Sequence, residues 1–277
     1  MRLAISNIAW DTTEDACVAS LLARFAVDAI DIAPGKYFPD PARATDHDID
    51  HVGRWWADRG IALTGMQALL FGTTGLNLFG ASERQEAMLA HLRAVCRIGA
   101  RLGATRLVFG SPKNRDRTGW RDADAFDHAV GFFRRLGAVA REHGVLVCLE
   151  PNPARYGCNF MTTSAETVEV VDAVGHASIR MQFDTGALTI NQESPEDLLL
   201  RSAGLIGHVH ASEPDLLPLG EGGTDHRRMH AALRRHLPDH VVSIEMLAAR
   251  DEPHLQAIER ALTCALACYR TAPGAAG

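Results

Sequence analysis

Four polar residues close four successive apolar runs in the second half of the chain. They are Glu150 in VLVCLEP, Asp184 in RMQFDTG, His210 in GHVHASEP and Glu245 in VVSIEML. Their intervals of 34, 26 and 35 residues each match one strand followed by one returning helix. If every run is a parallel strand, the four side chains arrive at a single rim. Three carboxylates converging there without a cation would repel, and at least one would have to stay protonated. A divalent metal removes that conflict. Three oxygen donors and one nitrogen, with room for two further ligands, suit Mn²⁺, Mg²⁺ or Co²⁺ better than structural Zn²⁺. Glu150, Asp184, His210 and Glu245 are therefore the expected metal ligands, with manganese first in line. Alternation along a strand puts Cys148, Gln182, His208 and Ser243 in the inward layer just below.

These residues need a scaffold that repeats. Near-continuous apolar runs of strand length occur at Arg2–Asn7, Ala26–Ile32, Ile61–Gln67, Thr105–Phe109, Val145–Glu150, Ile179–Asp184, Leu205–His210 and Val241–Met246. Such runs are expected of strands covered on both faces in a parallel sheet. Helix-period stretches lie between them, at Glu83–Leu102, Asp124–His143 (ended by Gly144), Ser164–Val174, Ser194–Ser202 and Leu255–Tyr269. S-A-E and S-P-E read as caps with an acid in the first turn, and Pro195 suits the first helical position. Eight strand–helix units without a hairpin signal or a composition break predict a single-domain α/β (β/α)8 TIM barrel over 1–270, with a flexible C-terminal tail at 271–277. A doubly wound open sheet is the alternative. No G-x-G-x-x-G follows the first strand, which argues against a dinucleotide-binding version.

Composition narrows the partners. The 277 residues carry 28 Lys plus Arg against 34 Asp plus Glu, a net charge of −6. That balance argues against a protein gripping a nucleic-acid backbone. No apolar stretch approaches membrane-spanning length, and MRLAISNIAW lacks the pattern of a secretory signal. Six cysteines without a CxxC pair read as reduced thiols. The expectation is a cytoplasmic enzyme with a small-molecule substrate, no nucleic acid and no membrane.

The chain resembles the xylose isomerase-like barrel superfamily, in its sugar phosphate isomerase/epimerase branch. The stretches that carry the resemblance are SNIAW at 6–10, IAPGKYF at 32–38, GMQALLFG at 65–72, LVFGSPKNR at 107–115, LEPNP at 149–153, YGCNFMTT at 156–163, QFDTGAL at 182–188, HVHASEP at 208–214 and SIEML at 243–247. The resemblance implies the metal set Glu150, Asp184, His210 and Glu245. In ketose 3-epimerases the two glutamates are also opposed acid–base groups, so Glu150 and Glu245 are the implied catalytic pair. One removes a proton from the carbon between two chelated oxygens, leaving an enediolate, and the other returns a proton to the opposite face. Return to a neighbouring carbon would isomerise, and loss of a β-hydroxyl from a keto-sugar or cyclitol would make the protein a dehydratase (a lyase). Relatives of this kind are often dimers or tetramers, so a homo-oligomer is also implied.

Three substrate contacts of the ketose 3-epimerases are missing. The histidine of D-x-x-H after the sixth strand is replaced by Ala187. The glutamate six residues after the fifth-strand ligand is replaced by Tyr156. The arginine after the seventh-strand motif gives way to Leu216 and Leu217. A modified sugar-like substrate, more apolar or anionic, is expected in place of a free ketohexose. Candidate substrate contacts are Gln67 at the third strand end, Tyr156, His208, and His226 in the loop GEGGTDHRR. Glu213 is a candidate to orient His210 or a substrate hydroxyl, and Lys113 with Arg115 to hold a phosphate or carboxylate. Trp10, Phe38 and Trp120 are candidate pocket walls.

Other chemistries fit less well. Endonuclease IV shares this barrel, but its multi-zinc centre needs further histidines where the chain has Gln67, Phe109 and Ala187. A Schiff-base aldolase needs an inward lysine, and Lys113 follows a Ser-Pro turn. A non-catalytic barrel keeping the metal has no need of two facing glutamates.

Overall fold

The apolar runs form eight strands in the computed structural model, which describes residues 1–270. They are β1 (Leu3–Ser6), β2 (Ala29–Ile32), β3 (Ala62–Met66), β4 (Arg106–Phe109), β5 (Leu146–Leu149), β6 (Ile179–Asp184), β7 (Ile206–Ser212) and β8 (Val242–Glu245). They pair in sequence order, all parallel, and β1 pairs with β8 to close the barrel. Closure leaves no edge strand among the described residues. The predicted (β/α)8 barrel is thus the observed fold. The predicted tail at 271–277 lies outside the described residues.

Ten helices are described: α1 (Asp15–Arg24), α2 (Pro34–Tyr37), α3 (Asp46–Ala57), α4 (Ser82–Leu102), α5 (Asp122–Glu142), α6 (Ser164–Val174), α7 (Thr185–Asn191), α8 (Pro195–Ser202), α9 (His226–His236) and α10 (His254–Tyr269). Their boundaries follow local chemistry. Ser194 accepts from the Asp197 N–H to cap α8, as its S-P-E signature predicts. For α6 the cap is Thr163, which accepts from the Glu166 N–H, so Ser164 is the first helical residue. Gly103 stops α4 in the left-handed conformation.

The layer between barrel and helices is aromatic where α5 crosses the sheet. Phe133 meets Phe109 edge-on at 5.4 Å and Phe132 at 5.7 Å, and all three are buried. The six cysteines are all free thiols. Among the described residues no helix is long and apolar enough to cross a membrane.

The ligand-bearing strands are staggered. Asp184 lies opposite His210, but His210 lies opposite Ser243 and Glu245 opposite Ser212. Strand tilt in a closed barrel produces this offset. β7 also continues two residues beyond His210, to Ser212, and Glu150 stands just past β5.

Phe133→Ala removes the centre of the aromatic contact and is expected to cost about 3–5 kcal/mol, read from the urea midpoint. A loss under about 1 kcal/mol would show that this layer repacks freely.

Candidate active site

The four predicted ligands converge. Glu150, Asp184, His210 and Glu245 each offer an atom within 4.8 Å of all the others. His210 is fully buried, with Nδ1 3.2 Å from Glu245 Oε2 and 3.7 Å from Glu150 Oε1. Each carboxylate is held by a different neutral group. Gln67 Nε2 donates to Glu245 Oε1 at 2.8 Å, and Asn152 Nδ2 donates to Glu150 Oε2 at 2.9 Å. Asp184 caps α7: its Oδ1 accepts from the Ala187 N–H at 2.6 Å, and its Oδ2 accepts from Ser212 Oγ at 2.7 Å. Gly110, at the end of β4, supplies the clearance for Glu150, because a Cβ there would fall on Glu150 Oε2.

Without a cation this cluster is in electrostatic conflict. Burial, together with the charges of Glu245 and Glu150, pushes the Asp184 carboxyl up to about 7. Burial works against the charged His210, but the charges of Glu245 and Glu150 beside it outweigh burial and raise the imidazole well above its ordinary value. Glu150 moves the other way. Burial would raise it, but the neighbouring His210, the Asn152 bond and the Arg115 charge leave it below the usual carboxylate value. The shifts of Asp184 and His210 favour their proton-bound forms, where a divalent cation would place positive charge instead. The hard, mostly oxygen donor set and its spacing fit such an ion.

Beneath the cluster lies a second polar layer that the sequence reading met only in part. His208 Nε2 bonds Asp31 Oδ2 at 2.7 Å, and Thr64 Oγ1 donates to Asp31 Oδ1 at 2.8 Å. Asp31 Oδ2 stands 3.9 Å from His210 Nε2, which has no hydrogen-bond partner among the described residues. Burial opposes the Asp31 charge, but His208, His210 and Ser243 hold its carboxyl at about 2. Gln182, in the orientation that satisfies both its ends, donates to the His208 carbonyl and accepts from the His210 N–H. The layer places the Asp31 carboxylate behind His210, the side on which carboxylates commonly support metal-bound histidines. Asp31 was missed; the signal was a lone acid inside the apolar AIDI run.

The other expected residues divide. Gln67 and Tyr156 line the rim cavity. Glu213 lines it too but does not orient His210. Its carboxylate accepts from the Gly220 and Thr224 N–H groups and bonds His226 at 2.9 Å. Those bonds outweigh burial and hold it at about 2. His226 is not a solvated loop residue. It is buried at the start of α9 between Glu213 and the Tyr269 hydroxyl, and it is not on the cavity wall. His208 likewise points down to Asp31, not to the cavity. Lys113 is exposed and off the wall, because the one-turn 3-10 segment Pro112–Arg115 carries it outward. Arg115 is sealed beneath the rim, its Nη1 donating to the Glu150 carbonyl at 2.7 Å. The expected anion clamp is therefore not formed. Trp10 and Phe38 are core residues, and Trp120 packs on Phe79 and His128 away from the cavity.

A closed parallel barrel with a three-carboxylate, one-histidine cluster at the C-terminal rim defines the class. A family model described as a xylose isomerase-like TIM barrel matches residues 19–266, and the chain belongs to that family. Among curated proteins it is 27% identical over 106 residues to D-psicose 3-epimerase of Enterocloster bolteae, covering 38% of this chain and 35% of that one. It is 28% identical over 108 residues to L-ribulose 3-epimerase of Methylomonas sp., covering 39% and 37%. The matched segments thus span about a third of the length of those relatives. Among solved structures, D-psicose 3-epimerase from Clostridium cellulolyticum H10 with D-tagatose superposes with a TM-score of 0.80 at 19% identity, over 98% of this chain and 100% of that one. The 3-keto-D-glucoside 4-epimerase of E. coli does so with 0.76 at 18% identity, over 95% and 100%. At such identities the likeness is one of fold.

Two outcomes follow from the cluster. Because Asp184 and His210 hold protons that a cation must displace, Mn²⁺ affinity is expected to rise with pH between about 6 and 8, with proton release on binding. Titration calorimetry in buffers of different ionisation enthalpy reads both, and a pH-independent affinity would contradict the assignment. Gly110→Ala should displace Glu150 and weaken Mn²⁺ binding by about tenfold or more, read by the electron paramagnetic resonance signal of free Mn²⁺; affinity within twofold of the parent would remove Glu150 from the ligand set.

Proposed function

We propose that the protein is a divalent-metal-dependent epimerase or isomerase of a sugar or sugar-like ketose, with Mn²⁺ as its cation and Glu150 and Glu245 as paired acid–base groups. The observation that carries this reading is that both glutamates reach the His210 imidazole from different strands while each keeps a second oxygen on a neutral amide. Neither is locked in an arginine or lysine ion pair, so each can exchange a proton. The relatives' names, which are those of ketose 3-epimerases, support the same chemistry.

The bound cation would supply Lewis acidity toward neighbouring carbonyl and hydroxyl oxygens of the substrate, acidifying the C–H between them. Glu150, which lines the cavity beside His210, takes that proton. Glu245 delivers a proton from the other side of the cavity, with Gln67 fixing its orientation. Asn152 steadies Glu150 during the exchange. Asp184 stays out of proton transfer, because Ser212 and the α7 N-terminus occupy its two oxygens. Delivery to the opposite face of the same carbon inverts it, and delivery to the neighbouring carbon isomerises.

Glu150→Gln and Glu245→Gln should each lower turnover by about 10²–10⁴-fold. The readout is deuterium wash-in from D₂O at the substrate carbon, followed by NMR on Mn²⁺-loaded protein with a panel of ketoses. Turnover near the parent value in either variant would sink the paired-glutamate mechanism. Chelation should abolish wash-in and Mn²⁺ should restore it. An unchanged product mass is expected, whereas loss of water would identify a dehydratase.

A further inference from the structure

The rim cavity has two lobes that meet at Glu150, Asn152, Glu245, Leu216 and Leu247. The lobe over β5–β7, about 380 Å³, includes the polar side chains Asp184, Ser212, Glu213 and Tyr156. The lobe over β1–β4, about 410 Å³, is walled by Ile8, Leu69, Leu70, Phe71, Val108 and Phe109. Besides the two glutamates its polar side chains are Lys36, Gln67, Ser111 and Asn152, and Gln67 Oε1 is buried without a partner. Gln67 Nε2 is held by Glu245, and Lys36 Nζ donates to the main-chain carbonyls of Asn7 and Trp10. Either lobe reaches the size of a natural ligand pocket, about 300–1,000 Å³, so together they exceed what a monosaccharide fills.

The mouth is apolar as well. Phe71, Leu247 and Leu217 are 82%, 50% and 42% exposed. Phe71 and Leu247 line the larger lobe, and Leu217 follows the shared wall residue Leu216. Leu216 is held there against backbone preference. It and Asp215 both adopt the left-handed region, with φ of 53° and 61°, where a leucine is uncommon. Three contacts hold the turn: Asp215 N–H donates to the Tyr156 hydroxyl, Arg155 pairs with Asp215, and Leu247 N–H donates to the Leu216 carbonyl. A leucine kept in a strained turn between the two lobes is shaped for an apolar ligand group. Among the described residues the one cationic side chain on either lobe is Lys36, whose Nζ donates to two main-chain carbonyls. A free ketohexose would set most of its hydroxyls in that lobe against hydrocarbon.

Resting on the function proposed above, we infer that the substrate has two parts, a hydroxyketone end seated over the carboxylates and an aryl or branched alkyl substituent filling the lobe over β1–β4. The tests are calorimetric affinities of the Mn²⁺-loaded protein for D-fructose and for its 1-O-benzoyl and 6-O-benzoyl esters. At least one ester is expected to bind tenfold or more tightly than D-fructose. That ratio is expected to fall to threefold or less in Phe71→Ser/Leu247→Ser, whose altered side chains are exposed enough to spare the fold. Equal or weaker binding of both esters, or a ratio unmoved by the double substitution, overturns the inference. If sedimentation finds a dimer that the double substitution dissociates while the ratio stays put, the rim belongs to a second copy and the inference also falls. Deuterium wash-in is scored separately. A preserved ester preference without wash-in rejects the proposed chemistry alone, and wash-in on D-fructose without ester preference rejects this inference alone.

Discussion

Three carboxylates and one imidazole within 4.8 Å of one another cannot all keep their preferred charge in a buried rim. Coulomb repulsion grows as water is excluded, and the local structure shows the response. Asp184 is driven toward its neutral form and His210 toward its charged form. Both shifts reduce the net negative charge of the cluster, as a bound cation would. Arg115, also buried, donates to the Glu150 main-chain carbonyl, and its charge helps to keep the Glu150 carboxyl low.

The rest of the rim makes this conflict tolerable and directional. Clearance at Gly110 lets Glu150 turn inward, neutral amides from Gln67 and Asn152 hold the two glutamates without quenching them, and the start of α7 takes Asp184. Below, Asp31 and His208 place a negative charge behind the imidazole. Farther along the same loops, Glu213 gathers His226 and two backbone N–H groups into a buried knot that ties the β7–α9 connection to α10 through Tyr269. Removing that knot would leave a buried carboxylate or imidazole unpaired, the kind of loss that costs most in a protein interior. The groups clustered at the rim are thus kept apart from the groups that hold the loops, although both sets are made of acids and histidines.

The same distinction explains where sequence reading succeeded and where it failed. Glu150, Asp184, His210 and Glu245 were legible because a polar residue ending an apolar strand has one geometry available in a barrel, and the strand–helix repeat fixes which end it occupies. His226 and Glu213 looked like loop residues because their partners are 43 and 13 positions apart from His226, and no local pattern signals such a pairing. Asp31 and His208 are 177 residues apart; only closure of the barrel makes them neighbours. Lys113 and Arg115 sit two positions apart in the same short turn, yet one faces solvent and the other is sealed. A 3-10 turn rotates successive side chains by about a third of a circle, so a small change in its entry decides which one turns inward.

By itself the sequence determined the number and order of the strands, their parallel sense and the four side chains delivered to the rim, because each depends on periodicity and on strand-end position. Tertiary structure alone decided which acids face the cavity and which bind the loops. It also decided that the wall above β1–β4 is apolar and that Leu216 stands between the lobes. Those outcomes rest on barrel tilt, loop trajectories and contacts between residues far apart in the chain, and a one-dimensional pattern carries no record of them.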